Sequence, residues 1–296
     1  MSTNIVSIKK KSMVIWFSCG AASAVVAKIC LAKYSETHEI TIARIVISNE
    51  HPDNDRFARD CEKWFGIRIT NVWNDKYADC WEVWEKEKYI VSPFGAPCTT
   101  QMKKKVRLDF ENAWYPDVQV FGYTKEEEKR AERFRLRNPD VNLLTPLIDE
   151  NISKSDCLAM IKRAGIDPPM MYQLGFNNNN CIGCPKGGMG YWNRIRIHFP
   201  EVFKRMARLE RSLDYAILKQ KGKPVFLDEL SPKAGRHKET VIDCSLDCFR
   251  GEQYYALMDK EREEKEREKQ KKHKKWKERK KRKKRKKWKE RKKRKE

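Results

Sequence analysis

The sequence has no apolar run of 18 or more residues, the length a helix needs to span a bilayer, so a membrane span is not expected. Residues 1–17, MSTNIVSIKKKSMVIWF, lack the long apolar stretch and the cleavage site of a secretory leader, and their apolar part reads as a strand. The expected location is therefore cytoplasmic. Two familiar phosphate-binding patterns are also missing: G-x-G-x-x-G and G-x-x-x-x-G-K-S/T. A nucleotide site in this chain belongs to another class.

Ten cysteines are present, and in a cytoplasmic chain they point to metal binding or redox chemistry more than to disulfides. The net charge is +23, unevenly spread. Residues 260–296 hold 25 Lys or Arg against 8 Glu, a net of +17, which leaves +6 for the rest. This tail repeats KKWKERKKRK at residues 274–283 and 286–295. Such dense like charge repels itself and does not pack, so a helical or disordered extension is expected. It reads either as an arm that binds nucleic-acid phosphates, with Trp276 and Trp288 stacking on bases, or as a solvated extension without a partner.

Apolar runs alternate with helical patterns through residue 165. Strands are expected at residues 13–17, 41–48, 68–72, 118–121 and 142–147. Helices are expected at 22–32, 53–64, 78–87, 99–113, 124–136 and 153–164, the last capped by Ser153 with Asp156 three residues on. This alternation predicts βαβ units in an α/β fold with a doubly wound, mostly parallel, Rossmann-like sheet. The organisation read from the sequence is a nucleotide-binding α/β domain at 1–165, a Cys-containing C-terminal segment at 166–259 and the basic tail at 260–296. Residues 166–192 read as a Pro-, Asn- and Gly-rich loop, and 201–218 as a helix.

Four stretches carry candidate chemistry. Ser18-Cys19-Gly20-Ala21-Ala22-Ser23 joins the first strand to the first helix with small residues only. Small side chains let an anion reach main-chain amides, and a helix N-terminus leaves such amides without internal partners. A plain tight βα turn is the alternative. Cys181-x-x-Cys184 can place two thiolates on one metal or act as a redox dithiol; Cys98, Cys244 and Cys248 are candidates to complete a site, with zinc or an iron–sulfur cluster as occupants. The run CTTQMKKK puts Lys103 and Lys104 at the start of a helix, where they can hold an anion or lie on an ordinary exposed face. Gly122 stands at the carboxyl end of a strand, and Arg130 or Arg133 on the next helix can reach an acidic group. The cysteines at 19, 30, 61, 80 and 157 read as core or surface residues rather than ligands.

Taken in order, these stretches resemble the phosphoadenosine-phosphosulfate (PAPS) reductase-like branch of the PP-loop ATP pyrophosphatases. That family has S-G-G-x-D-S after its first strand, where this chain has Ser18 to Ser23; C-T-x-x-x-K, matched by Cys98 to Lys103; G-x-R-x-x-E-S-x-x-R, matched loosely at Gly122, Glu127 and Arg130; and a PL pair before a helix and a C-x-x-C segment, here Pro146-Leu147 and Cys181 to Cys184. Cys19 replaces a glycine, Ala22 replaces an acidic residue, and no E-C-G-x-H segment is found near the C-terminus.

The resemblance implies an enzyme that binds ATP or PAPS. Ser18, Cys19, Gly20, Ala21, Ala22 and Ser23 would form its phosphate loop, with Mg2+ as a companion of the nucleotide. Asn49 and Glu50 would lie near the adenosine, with Gly122 and Arg130 completing the nucleotide site. Cys98 and Lys103 would be catalytic. A 4Fe–4S cluster would sit on Cys98, Cys181 and Cys184, with Cys244 or Cys248 as fourth ligand. Sulfur transfer through an adenylated intermediate is expected ahead of thiol-dependent reduction of PAPS to sulfite. A non-enzymatic, zinc-containing nucleic-acid-binding module is the alternative outside enzymology, and a homodimer is a further expectation.

Overall fold

The apolar run near the N-terminus becomes the centre of the sheet. The structure is a computed structural model and describes residues 10–92 and 95–235. Cys244, Cys248 and the basic tail, with the nucleic-acid partner expected of it, lie outside the described residues.

The central strand β1 (Lys11–Trp16) pairs in parallel with β2 (His38–Ile45) on one side and β4 (Val118–Val120) on the other. Strands β3 (Ile69–Val72) and β5 (Leu143–Leu144) complete a five-stranded sheet of order β3-β2-β1-β4-β5, every pair parallel. This is the doubly wound α/β arrangement that the alternation of patterns predicts. The chain builds outward to β3, then crosses back to lay β4 on the far side of β1. The carboxyl ends of β1 and β4 therefore diverge, which opens a crevice where such sheets bind ligands.

Side chains alternate across β1, so one strand supports two cores. Met13, Ile15 and Phe17 face α1 (Ala21–Tyr34), α2 (Asp53–Phe65) and α8 (Lys154–Arg163). Phe17 stacks on Phe57 of α2 with centroids 6.1 Å apart; burying one such ring stabilises the fold by about 1.5–3 kcal/mol. Val14 and Trp16 face the opposite layer, α5 (Lys105–Trp114) and α6 (Glu128–Arg137), through Phe110, Trp114 and Phe134. Helix ends follow local chemistry. Gly66 closes α2 at φ 79°, and Ser153 and Asp156 exchange hydrogen bonds in a capping box that starts α8.

A third core lies beyond the sheet. It joins α3 (Cys80–Glu87), α4 (Pro97–Thr99), α9 (Met170–Gln173), α10 (Met189–His198) and α11 (Pro200–Ser212). Between α4 and α5 the helix widens into a π-turn at Thr100–Lys104. Among the described residues no helix is long and apolar enough to cross a membrane.

Three expected elements differ. Residues 142–147 form a two-residue strand and then the short helix α7 (Pro146–Asp149), because proline favours the first turn of a helix. The helix expected at 201–218 stops at Ser212; Asp214 takes φ 48°, and a hairpin of β6 (Leu218–Gln220) and β7 (Lys223–Val225) follows. Residues 166–192 are not one loop, since they contain α9 and the start of α10.

Candidate functional site

At the β1–α1 junction the small residues form a tight, internally bonded turn. Ser23 Oγ accepts from the amides of Ser18 (3.1 Å) and Gly20 (3.2 Å) and donates to the Gly20 carbonyl (2.9 Å). The Tyr172 hydroxyl stands beside the turn, 3.4 Å from where a Cβ on Gly20 would lie. The Ser23 hydroxyl thus occupies two of the amides of this turn. An anion binding here takes the place of a hydroxyl rather than entering an open nest.

Cys19 is buried at φ 54°, a left-handed conformation that side chains disfavour. Its thiol points inward onto the carbonyl of Asn54 (3.7 Å), and burial holds its pKa well above the usual thiol range. Cys19 therefore offers the site only its backbone. Gly122, just past β4, presses on the same turn. A Cβ there would stand 2.8 Å from Ser23 N and 2.9 Å from the Ala22 carbonyl carbon.

Cationic side chains gather on the surrounding elements. Lys103 lies on the π-turn with Nζ 3.9 Å from Glu50 Oε1, and both side chains are largely buried. Lys104 is buried beside it. Arg130 pairs with Glu127 and lies over the Tyr123 ring at 5.2 Å. Lys154, at the start of α8, lies 5.7 Å from the centre of the Tyr172 ring and hydrogen-bonds Asn177 and Asn178; desolvation lowers its pKa.

The thiols converge in the third core. The thiol of Cys80, at the start of α3, neighbours those of Cys181 and Cys98, and these neighbours with burial raise its pKa well above the usual range. Cys184 belongs to the same buried cluster. Four hydrogen bonds set this geometry. Asn49 Oδ1 accepts from the Cys80 amide (2.7 Å), while the Asn49 carbonyl accepts from the Ile182 amide (2.7 Å). Tyr191 Oη accepts from the Cys184 amide (2.8 Å) and donates to the Cys181 carbonyl (3.0 Å), filling the turn of the C-x-x-C segment. Gly183 at φ 79° makes that turn, and any Cβ on it would strike Val202. Asn49 is thus a clamp between Cys80 and the C-x-x-C turn.

Among the described residues, no three His, Cys, Asp or Glu side chains stand ready to hold a metal ion. The donor type nonetheless suits one. Several thiols in one apolar core are the ligand chemistry of an iron–sulfur cluster or of zinc, and none of the eight described cysteines is in a disulfide.

The predicted residues thus fall into two neighbouring groups. Ser18, Gly20, Ala21, Ala22, Ser23 and Gly122 meet at the head of α1, whereas Cys98, Cys181 and Cys184 lie in the third core. Glu50 bridges toward both: its carboxylate accepts from Asn54 Nδ2 (3.0 Å) and faces Lys103. Sequence reasoning assigned Cys80 to the core and overlooked Tyr172, Asn179, Tyr191 and Lys154. The one available signal was the run of four asparagines before Cys181, residues apt to bond backbone groups.

No protein-family model matches the chain, and no curated protein matches its sequence. Among solved structures it is similar to the phosphoadenylyl-sulfate (PAPS) reductase from Candida auris, crystallised as a phosphate complex, at 10% identity and TM-score 0.42 over 60% of this chain and 84% of that one. It is also similar to the U34-tRNA thiolase NcsA from Methanococcus maripaludis, solved with its 4Fe-4S cluster, at 14% identity and TM-score 0.42 over 72% of this chain and 76% of that one. Both are similarities of backbone course at low sequence identity.

Proposed function

We propose that the chain is a PAPS reductase-like PP-loop enzyme that binds an adenine nucleotide at the head of α1 and transfers sulfur through an adenylated intermediate. One observation carries this reading: Asn179 holds the carbonyl of Cys19 in the small-residue turn (2.7 Å), and two residues later Cys181 joins Cys80 in the thiol set. The small-residue turn and a group of thiols thus share one short segment, as chemistry that activates with a nucleotide and finishes with sulfur requires.

In this reading the amides and hydroxyls of Ser18, Gly20 and Ser23 hold the phosphates, with the positive end of α1 behind them. Asn49 and Glu50 lie on the adenosine side. Lys103 and Arg130 stabilise charge on the phosphoryl oxygens. A substrate oxygen attacks the α-phosphorus, the α–β bridge breaks and pyrophosphate departs with the bond's electron pair. A sulfur nucleophile then displaces AMP from the substrate carbon. Catalysis is mainly positioning and charge stabilisation. Cys98, Cys181 and Cys184, with Cys80, are the residues that would hold an iron–sulfur cluster, which when bound would supply a site for handling sulfur.

The test is a thermal-shift screen with ATP, PAPS and AMP, followed by product analysis. Binding raises apparent stability. ATP stabilisation with pyrophosphate release supports sulfur transfer, and PAPS stabilisation with sulfite release supports the reductase alternative. If no nucleotide shifts the transition, the proposal is wrong.

A further inference from the structure

A separate cleft of about 710 Å³ lies between α2 and the β2–β3 edge of the sheet, a volume in the range that holds small ligands. Side chains alternate along a strand, so Arg44, Val46 and Ser48 share one face with Ile69, Asn71 and Trp73 across the β2–β3 pair. Arg44 and Asn71 are register partners. Helix α2 supplies the wall through Asp55, Arg59 and Glu62, spaced i, i+4 and i+7 on one face. The lining includes none of residues 18–23, Asn49, Glu50, Lys103 or the described cysteines.

Three features give this cleft a ligand chemistry. Arg44 is only 5% exposed; its Nη1 holds Asp55 Oδ1 at 2.7 Å, while its Nε is buried with no hydrogen-bond partner. A buried guanidinium N–H without an acceptor costs free energy, and a ligand oxygen on that edge restores the bond. Asp55 and Glu62 are already paired with Arg44 and Arg68, so Arg59 leaves the lining with surplus positive charge. Trp73 stands 62% exposed on a loop that Asn74 fixes: Asn74 Oδ1 accepts from the amides of Lys76 and Tyr77, and its Nδ2 donates to the Gln101 carbonyl, all at 2.8 Å. Trp73 follows Asn71 by two positions, about 7 Å along an extended backbone, a span comparable to that from a phosphate to the base it carries. A plain anion would leave Trp73 unused, and an apolar ligand would leave Arg44 unanswered.

We propose that this cleft binds a nucleoside monophosphate group, free or as one unit of a single strand. The phosphate oxygens take the Nε edge of Arg44 and the Arg59 guanidinium, the base stacks on Trp73, and Asn71 bonds the sugar between them. The assignment is independent of the nucleotide expected at the head of α1.

The test uses the full chain, with 5-iodouridine 5′-monophosphate as a photo-cross-linking probe mapped by mass spectrometry and with UMP and uridine affinities from calorimetry. The probe is expected to cross-link at Trp73. Trp73→Ala is expected to weaken UMP about tenfold and Arg59→Gln about fivefold, with wild-type melting because both side chains are exposed. Arg44→Lys keeps a charge for Asp55 but lacks the Nε–H, so it is expected to weaken UMP about tenfold and leave uridine unchanged. Displacement of the probe by oligouridine at a lower concentration than by UMP assigns the site to a strand, and otherwise to a free nucleotide. Cross-links confined to residues 18–23 or to Trp276 and Trp288, wild-type UMP affinity in Trp73→Ala or in Arg59→Gln, or no binding of UMP at millimolar concentration overturns the proposal.

Discussion

Substituting Gly122 by alanine probes the closest backbone approach in the site. The Cβ would lie 2.8 Å from Ser23 N, 2.9 Å from the Ala22 carbonyl carbon and 3.0 Å from Ser23 Cα. Carbon contacts are comfortable at about 3.5–4.0 Å, and none of these atoms can swing aside as a side-chain tip would. The backbone of β4 and the head of α1 must separate by roughly half an ångström or more. Gly122 is not among the glycines with positive φ, so alanine carries no conformational penalty of its own. Overpacking of this kind costs about 1–3 kcal/mol, offset by about 0.4–1 kcal/mol from the stiffer unfolded chain. A net loss of about 1–2 kcal/mol lowers the melting temperature by about 2–8 °C at this size.

Gly20→Ala is the matched control. Its Cβ would meet only the Tyr172 hydroxyl at 3.4 Å and Ser18 Oγ at 3.6 Å, both ordinary contacts. Its stability is expected within about 1 kcal/mol of wild type, the poorer N-cap being balanced by the unfolded-state gain. Thermal unfolding followed by circular dichroism separates the two. If Gly122→Ala melts with wild type, or Gly20→Ala is the more damaging change, the close packing of β4 on the turn is wrong.

Other perturbations follow from single contacts. Cys19→Gly removes the side chain from φ 54° and is expected to change stability by less than about 1 kcal/mol in either direction, since relief of left-handed strain offsets the lost packing; a loss above about 2 kcal/mol in a denaturant titration would contradict this. Tyr191→Phe leaves the Cys184 amide and the Cys181 carbonyl without their buried partner, so a loss of about 1–3 kcal/mol and faster alkylation of both thiols are expected; unchanged alkylation rates would refute the anchoring role. Glu210 is fully buried, accepts from the amides of Ile217 and Leu227 at 2.7 Å each, and has its pKa raised by burial to about 7. The folded state holds this proton more tightly than the unfolded chain, so the contribution is complete below about pH 4.5 and declines as pH rises toward 7. The full change is about 3 kcal/mol. Melting temperature measured from pH 5 to 7.5 should therefore fall less steeply in Glu210→Gln than in wild type; parallel curves would discredit the assignment.

The sheet was legible because its strands are short apolar runs ending in small or turn-forming residues. The runs at 13–17 and 118–121 name the two strands that frame the crevice. The α11 boundary was not legible, because the apolar pattern continues through Leu213 and Ile217 while the backbone turns at Asp214. Periodicity reports which side chains are apolar, not where the chain reverses. The hairpin that follows carries a better signal: Lys221 and Gly222 both take positive φ, as a two-residue hairpin turn requires. Cys80 was hidden for another reason. It opens CWEVWEKE, where it fills a core position like any small apolar residue. Only the fold brings it to Cys98 and Cys181, across 18 and 101 residues of sequence.

The site divides its labour by charge. The groups that fix its shape are neutral: the Ser23 hydroxyl, the Tyr191 phenol, and the side-chain amides of Asn49, Asn54 and Asn179. The charged groups, Lys103, Arg130 and Lys154, stand on surrounding helices and are themselves tied to Glu50, Glu127 and the asparagine run. A neutral frame loses little to salt, because hydrogen bonds between dipoles are not screened as charges are. Burial and the neighbouring thiols favour the protonated form of Cys80. The same asparagine run serves both halves: its first members hold Lys154, Asn179 holds the Cys19 carbonyl, and the chain then enters the C-x-x-C turn. Four consecutive short amides can do this because each carries a donor and an acceptor on one short stem, so adjacent residues satisfy different walls of the cleft without a charge to desolvate.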